Sequence, residues 1–161
     1  PDIVALAKGL AGGFPVGAVI ASKAVGNAMT PGTHGSTFGG NPLAMAAAAA
    51  VLDVVAGDGF LADVRARSAY LDAALVGLSK TFPAHIAELR GCGLMRGIKL
   101  AAGIDVGMVV GRVRDQHVLT VPAAENTLRL LPPLIISRDE IDLAVKTIGD
   151  VLGTIDPPPN Q

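Results

Sequence analysis

The chain reads as an α/β protein. Short apolar, β-compatible runs bounded by glycine and proline recur along it, and between them stand longer segments whose apolar residues repeat at helical spacing. The texture also changes near Thr81–Pro83, where long helical segments give way to short strands. That change divides the chain into 1–56, a connecting helix over 57–82, a small α/β region over 83–155 and an unpacked tail over 156–161.

Taken in order, Asp2–Lys8 is a buried strand that runs straight into Gly9, Gly12 and Gly13. Val16–Ala21, after Pro15, is a second strand, and Thr30–Gly40 is a loop rich in Gly, Thr, Ser and Pro. Asn41-Pro42 marks a helix start, since asparagine caps well and proline is tolerated at the first helical position. This helix runs through the alanine stretch until Gly57–Gly59 stop it. A second spans about Phe60–Lys80, with Leu61, Val64, Leu71, Leu75 and Leu78 on one face. Strands follow at Ile86–Arg90, Leu94–Leu100, Val118–Val121 and Thr127–Leu131, with a helix at Val106–Asp115 between the second and third. Arg138–Leu152 closes the fold as a helix with Ile141, Val145, Ile148 and Leu152 turned to one side.

Composition narrows the function. With 161 residues, 50% hydrophobic, 17% charged and a formal net charge of -1, the chain supplies enough apolar surface to offset ordering entropy. It has no basic run and only Tyr70 and four Phe for stacking, which argues against nucleic acid as the main partner. Leu43–Leu52, the most apolar stretch, is about half of a membrane span and is broken by Asp53, so it reads as a buried helix. Cys92, alone, cannot form an internal disulfide; it fits a reducing, cytoplasmic setting and reads as a small buried thiol. His34, His85, His117 and Cys92 share no metal-ligand spacing, so no metal site is expected. The opening at Pro1, without Met and already strand-like, suggests that the true N-terminus and any targeting signal are missing.

Three places carry chemistry. Alternation puts Val4, Leu6 and Lys8 on one strand face, so the Lys8 amine starts from an apolar side, where burial favours the neutral, nucleophilic form. The bland alternative is a strand-end lysine reaching solvent. The glycines follow this lysine, which excludes a Walker-type loop. Gly35-Ser36-Thr37-Phe38-Gly39-Gly40-Asn41-Pro42 offers hydroxyls and a helix N-terminus to a phosphate or carboxylate, or simply caps the helix. Arg129 stands among leucines and prolines; a buried guanidinium needs an anion, either a bound carboxylate or a local acid.

Together these stretches resemble the class III pyridoxal-phosphate-dependent aminotransferases, and within them the acetylornithine aminotransferases. The resemblance is carried by Pro1-Asp2-Ile3-Val4-Ala5-Leu6-Ala7-Lys8-Gly9-Leu10, Gly13-Phe14-Pro15-Val16-Gly17-Ala18 and Pro31 through Ala44, then by Arg90-Gly91-Cys92-Gly93-Leu94-Met95 and Leu128 through Leu134. It implies a fold-type I aminotransferase, with this chain as the C-terminal part of the large domain plus the small domain. It implies that Lys8 holds pyridoxal 5'-phosphate as an internal aldimine and then acts as the general base. It further implies that Thr37 reaches the cofactor phosphate across a homodimer interface, that Ser36 contacts the substrate, and that Arg129 grips the α-carboxylate. The implied reaction moves an amino group from N-acetylornithine to 2-oxoglutarate in arginine biosynthesis. Ornithine, succinylornithine or 4-aminobutyrate as donor, or a noncatalytic dimerisation module, are the alternatives.

In that family the acid facing the pyridine nitrogen, the main phosphate turn, the stacking aromatic and a second substrate arginine lie upstream of the lysine strand. The chain alone is therefore expected to bind cofactor poorly and turn over little. His117 and Ala124-Glu125 stand where relatives often have glycine. If the backbone there needs positive φ, the turns that set Arg129 carry strain.

Overall fold

A computed structural model of the chain describes residues 1–157, which fall into two compact units, Pro1–Leu61 and the described residues from Ala62 onward. Within the expected tail, residues 158–161 lie outside the described residues.

In the first unit β1 (Ile3–Leu6) pairs antiparallel with β2 (Ala18–Ala21), with Ile3 opposite Ala21 and Leu6 opposite Ala18. Both strands are shorter than the sequence suggests. Ala7 is still extended, but Lys8 turns to φ 56 and opens a single 3₁₀ turn, Lys8–Ala11, that ends at left-handed Gly12. A one-turn helix, α1 (Lys23–Gly26), escapes the sequence reading; the Ser22 Oγ accepts from the Val25 N–H at 3.4 Å to cap it. The helix α2 (Pro42–Val55) begins where Asn41-Pro42 predicts. It packs on the 3₁₀ turn through Ala11, Ala44 and Ala48, and a Cβ on Gly12 would sit 3.1 Å from the Val51 Cγ2. Alanines let backbones approach but bury little area, and Ile3, Val19, Ile20, Leu43 and Leu52 of this unit stay exposed.

The second unit contains nearly all of α3 (Phe60–Thr81), a four-stranded antiparallel sheet, α4 (Val106–Asp115) and α5 (Arg138–Leu152). The strands β3 (Ile86–Cys92), β4 (Met95–Leu100), β5 (Val121–Ala123) and β6 (Thr127–Leu130) stand in the order β3-β4-β6-β5. Leu71, Leu75 and Leu78 of α3, set apart in the sequence reading as a connector, lie in the core of this unit. They meet Ile98, Leu100, Leu128 and Leu130 from one face of the sheet, Val109 and Val113 of α4, and Ile141, Ile148 and Leu152 of α5. Local capping explains why the bounds of α4 and α5 match expectation. Asp105 accepts from the Gly107 and Met108 N–H groups, and Ser137 and Glu140 form a reciprocal capping box.

The strand expected at Val118–Val121 begins only at Val121. His117 is left-handed at φ 65, its N–H donates to the Arg114 carbonyl at 2.8 Å, and the Val118 N–H donates back to Val113 at 3.2 Å. These two bonds form a Schellman cap on α4 that takes up the residues the strand would have used. Glu125 and Asn126, in the β5–β6 turn, are left-handed as well, so the positions suspected of positive φ from the sequence do adopt it at His117 and Glu125.

Among the described residues no single helix is long and apolar enough to cross a membrane.

Candidate active site

Lys8 differs from expectation in one respect. The side chain is exposed, because the strand ends two residues earlier and the 3₁₀ turn carries the amine off the sheet. A non-glycine residue in left-handed backbone costs about 1–2 kcal/mol, so the orientation of this lysine is held by the turn that follows it. Among the described residues its Nζ makes no ion pair and no hydrogen bond, and the burial expected to favour a neutral amine is not found within this unit.

Ser36 and Thr37 stand on the loop leading to α2. Ser36, together with His34, Phe38 and Asn41, lines a cavity of about 350 Å³ in the first unit; Lys8 and Thr37 are not among its walls. A Cβ on Gly39 would come within 2.9 Å of the Ser36 Cβ, so only glycine lets the loop fold this tightly against the serine. The helix start is capped from within: the Asn41 Oδ1 accepts from the Ala44 N–H at 2.9 Å and the Asn41 Nδ2 donates to the Phe38 carbonyl at 2.9 Å. With proline at the first position, little donor capacity is left at the helix end, and an anion bound here would depend on the Ser36 and Thr37 hydroxyls. Thr37 itself is exposed.

Arg129 lies on β6 in the second unit, opposite Gly97 of β4 and Val121 of β5. It is half-buried, its Nε is fully buried without a hydrogen-bond partner, and it joins no ion pair among the described residues. The local acid allowed for at the sequence level is thus not engaged with it. On the same sheet face the Arg90 Nη2 stands 2.8 Å from the Glu88 Oε2 and 2.8 Å from the Glu125 Oε2, and the Lys99 Nζ is 3.5 Å from the latter. Hydrogen bonding from Arg90 holds both carboxyls below the usual glutamate range, and the same bonds raise the guanidinium above its ordinary value.

Cys92 corrects the sequence reading: it is exposed, not buried, because it ends an edge strand at the β3–β4 hairpin. Among the described residues no group of His, Cys, Asp or Glu is arranged to hold a metal ion.

The family model for Aminotransferase class-III matches residues 1–152. The chain belongs to the class III aminotransferases. Acetylornithine aminotransferase of Mesorhizobium japonicum is 49% identical over 149 residues, covering 92% of this chain and 37% of that protein. Among solved structures, ornithine aminotransferase PY00104 from Plasmodium yoelii matches 97% of the chain and 42% of its own at TM-score 0.85 and 28% identity. Acetylornithine aminotransferase from Elizabethkingia anophelis matches 96% and 39% at TM-score 0.84 and 32% identity. The chain therefore spans about two-fifths of the length of the relatives it matches, and its fold is of the fold-type I aminotransferase class.

Class III aminotransferases use pyridoxal phosphate, and the residues present fit that group. Among the described residues the Lys8 amine and the Ser36 and Thr37 hydroxyls have no hydrogen-bond partner; an amine suits an aldehyde carbon, and hydroxyls suit phosphate oxygens or a substrate. In this class III chain Lys8, Ser36 and Thr37 belong to the first unit and Arg129 to the second. Sequence reasoning passed over Gly97, where a Cβ would lie 2.8 Å from the Thr127 Cγ2. Its signal was available, since a glycine inside a strand marks close approach. It also passed over the Arg90–Glu125 pair, which only the strand register brings together.

Proposed function

We propose that this chain supplies the lysine, hydroxyl and arginine groups of a pyridoxal-phosphate-dependent transaminase that moves an amino group from N-acetylornithine to 2-oxoglutarate, as in arginine biosynthesis. The observation that carries the reading is Arg129. Arg129 is half-buried and joins no ion pair among the described residues, and a carboxylate from outside, held by two parallel hydrogen bonds, would supply the missing anion. Both partners of the reaction carry an α-carboxylate.

When bound, the cofactor supplies an aldehyde to take up the amino group and a ring that withdraws electrons from the substrate Cα. Lys8 would hold that aldehyde through Nζ. Once displaced by the substrate amine, the same nitrogen would take the Cα proton and return it on the cofactor side. Thr37 Oγ1 would donate to the cofactor phosphate of a second copy and Ser36 Oγ to the substrate. Large exposed apolar residues on this loop and at the start of α2, Phe38 at 80% and Leu43 at 66% exposure, support a homodimer contact around it. The cytoplasm, where amino-acid and keto-acid substrates of this kind are at hand, is the proposed compartment.

The names of the curated relatives favour N-acetylornithine as donor, and the matching structures include both acetylornithine and ornithine aminotransferases. Borohydride treatment of the intact protein loaded with cofactor should fix the cofactor mass on the Lys8 peptide; label elsewhere would refute the assignment. Assays with N-acetylornithine, ornithine, succinylornithine and 4-aminobutyrate then decide the donor. Turnover with none of them would leave the dimerisation module as the better reading.

A further inference from the structure

The open face of the second unit's sheet carries one row of cross-strand partners, Arg90 on β3, Gly97 on β4 and Arg129 on β6. The glycine leaves the two arginine stems flanking bare backbone, about 10 Å apart at two strand spacings. Their partners differ. Arg90 binds Glu88 and Glu125 at 2.8 Å each, whereas Arg129 binds no acid. Glu88 and Glu125 are the only acids in the four strands and the β5–β6 turn. Side chains on this face do span β4, since Arg90 reaches over it to Glu125. Glu88, on the neighbouring row opposite Lys99, has the same span to cross to reach Arg129.

Resting on the reading of Arg129 as the carboxylate anchor, we infer that Arg90 is a positioning residue for substrate recognition: it engages both acids of this face, so that neither neutralises Arg129. The two arginines thus divide the work, one satisfying the internal carboxylates and the other kept for the substrate's. Lys99, 3.5 Å from Glu125, reinforces the first group but is too far from ideal geometry to replace Arg90.

The test is equilibrium binding of glutarate, a dicarboxylate without a reactive carbonyl, to the intact protein, together with KM and kcat for 2-oxoglutarate. Arg90→Gln is expected to weaken glutarate and raise KM by about fivefold, the strength of one competing surface ion pair, with kcat within about twofold. Arg90→Lys should keep most of the affinity. The triple variant Arg90→Gln, Glu88→Gln, Glu125→Gln should recover it, because the competing acids are gone; a merely structural role for Arg90 would not be rescued by removing its partners. Unchanged glutarate affinity in Arg90→Gln, or no recovery in the triple variant, overturns the inference. Arg129→Gln separates the two levels of the argument. If it fails to weaken glutarate, the carboxylate anchor falls and this inference with it; if it weakens glutarate while Arg90→Gln does not, this inference alone falls.

Discussion

Replacing His117 by glycine is expected to stabilise the chain. His117 occupies the left-handed position of the Schellman cap that ends α4, with φ 65 and both cap hydrogen bonds in place through the backbone. Its side chain is exposed and makes no hydrogen bond or ion pair among the described residues, so nothing offsets the steric cost of a Cβ there. That cost is about 1–2 kcal/mol, and glycine returns about 0.5–1 kcal/mol of it through the greater freedom of its unfolded chain. The net gain is about 0.5–1 kcal/mol, or about 1–4 °C in Tm for a chain of this size. Thermal and urea unfolding of His117→Gly and His117→Ala measure it, with alanine as the control that loses the imidazole but keeps the Cβ. If His117→Gly proves no more stable than His117→Ala, left-handed strain at this cap is not being relieved and the reasoning fails.

Asn126 shares the left-handed backbone, but its Oδ1 accepts from the Val106 N–H at 3.1 Å and its Nδ2 donates to the Ile104 carbonyl at 2.7 Å. Asn126→Gly should therefore destabilise by about 1–2 kcal/mol in urea unfolding, the opposite sign to His117→Gly. Gly97→Ala should cost about 1–3 kcal/mol by the same measurement, because the new Cβ would overlap the Thr127 Cγ2. Lys8→Gly and Lys8→Ala should both abolish the visible absorbance of bound cofactor in the intact protein, and only the glycine variant should gain stability from the φ of 56 at that position. The folded values of Glu88 and Glu125 lie below the ordinary 4.5, so their contribution to stability is full above that pH and fades as pH falls through the lowered values. Tm profiles of the wild-type chain and Arg90→Gln should differ most above about pH 4.5 and converge in acid; a gap that widened in acid would contradict the sign.

What could be read from the sequence was what is encoded locally. The bounds of α4 and α5 follow from Asp105, Ser137 and Glu140, whose side chains bond to backbone three residues away or less, and the start of α2 follows from Asn41-Pro42. Where a residue type gives no hint of its backbone, the reading slipped. Period-two alternation carried the first strand on to Lys8, but the change to positive φ ends the pairing at Leu6. His117 gives no hint of the Schellman cap that delays β5, and a small apolar thiol such as Cys92 gives no sign that its strand lies at a sheet edge, where it is exposed. For the site, Lys8, the Ser36-Thr37 loop and Arg129 stand out locally by residue type and setting, but each has a bland local alternative that only several motifs in register outweigh. Arg90, Gly97 and Glu125 did not, because their relation to Arg129 lies in the strand register and not in sequence spacing.

The strained positions of the second unit are not scattered. His117 stands just before β5, and Glu125 and Asn126 just before β6, so all three lie at the entrances to the paired strands that present Arg129. Their side chains differ: Asn126 makes three hydrogen bonds, Glu125 pairs with Arg90 and Lys99, and His117 makes none among the described residues. A glycine at Glu125 would relieve the backbone but leave Arg90 with Glu88 as its one remaining acid on this sheet face. The side chain at that turn thus couples the shape of β6 to the charge balance around Arg129. The turn residue and the arginine four positions later are therefore linked through Arg90, which holds the Glu125 carboxylate while Arg129 joins no ion pair among the described residues.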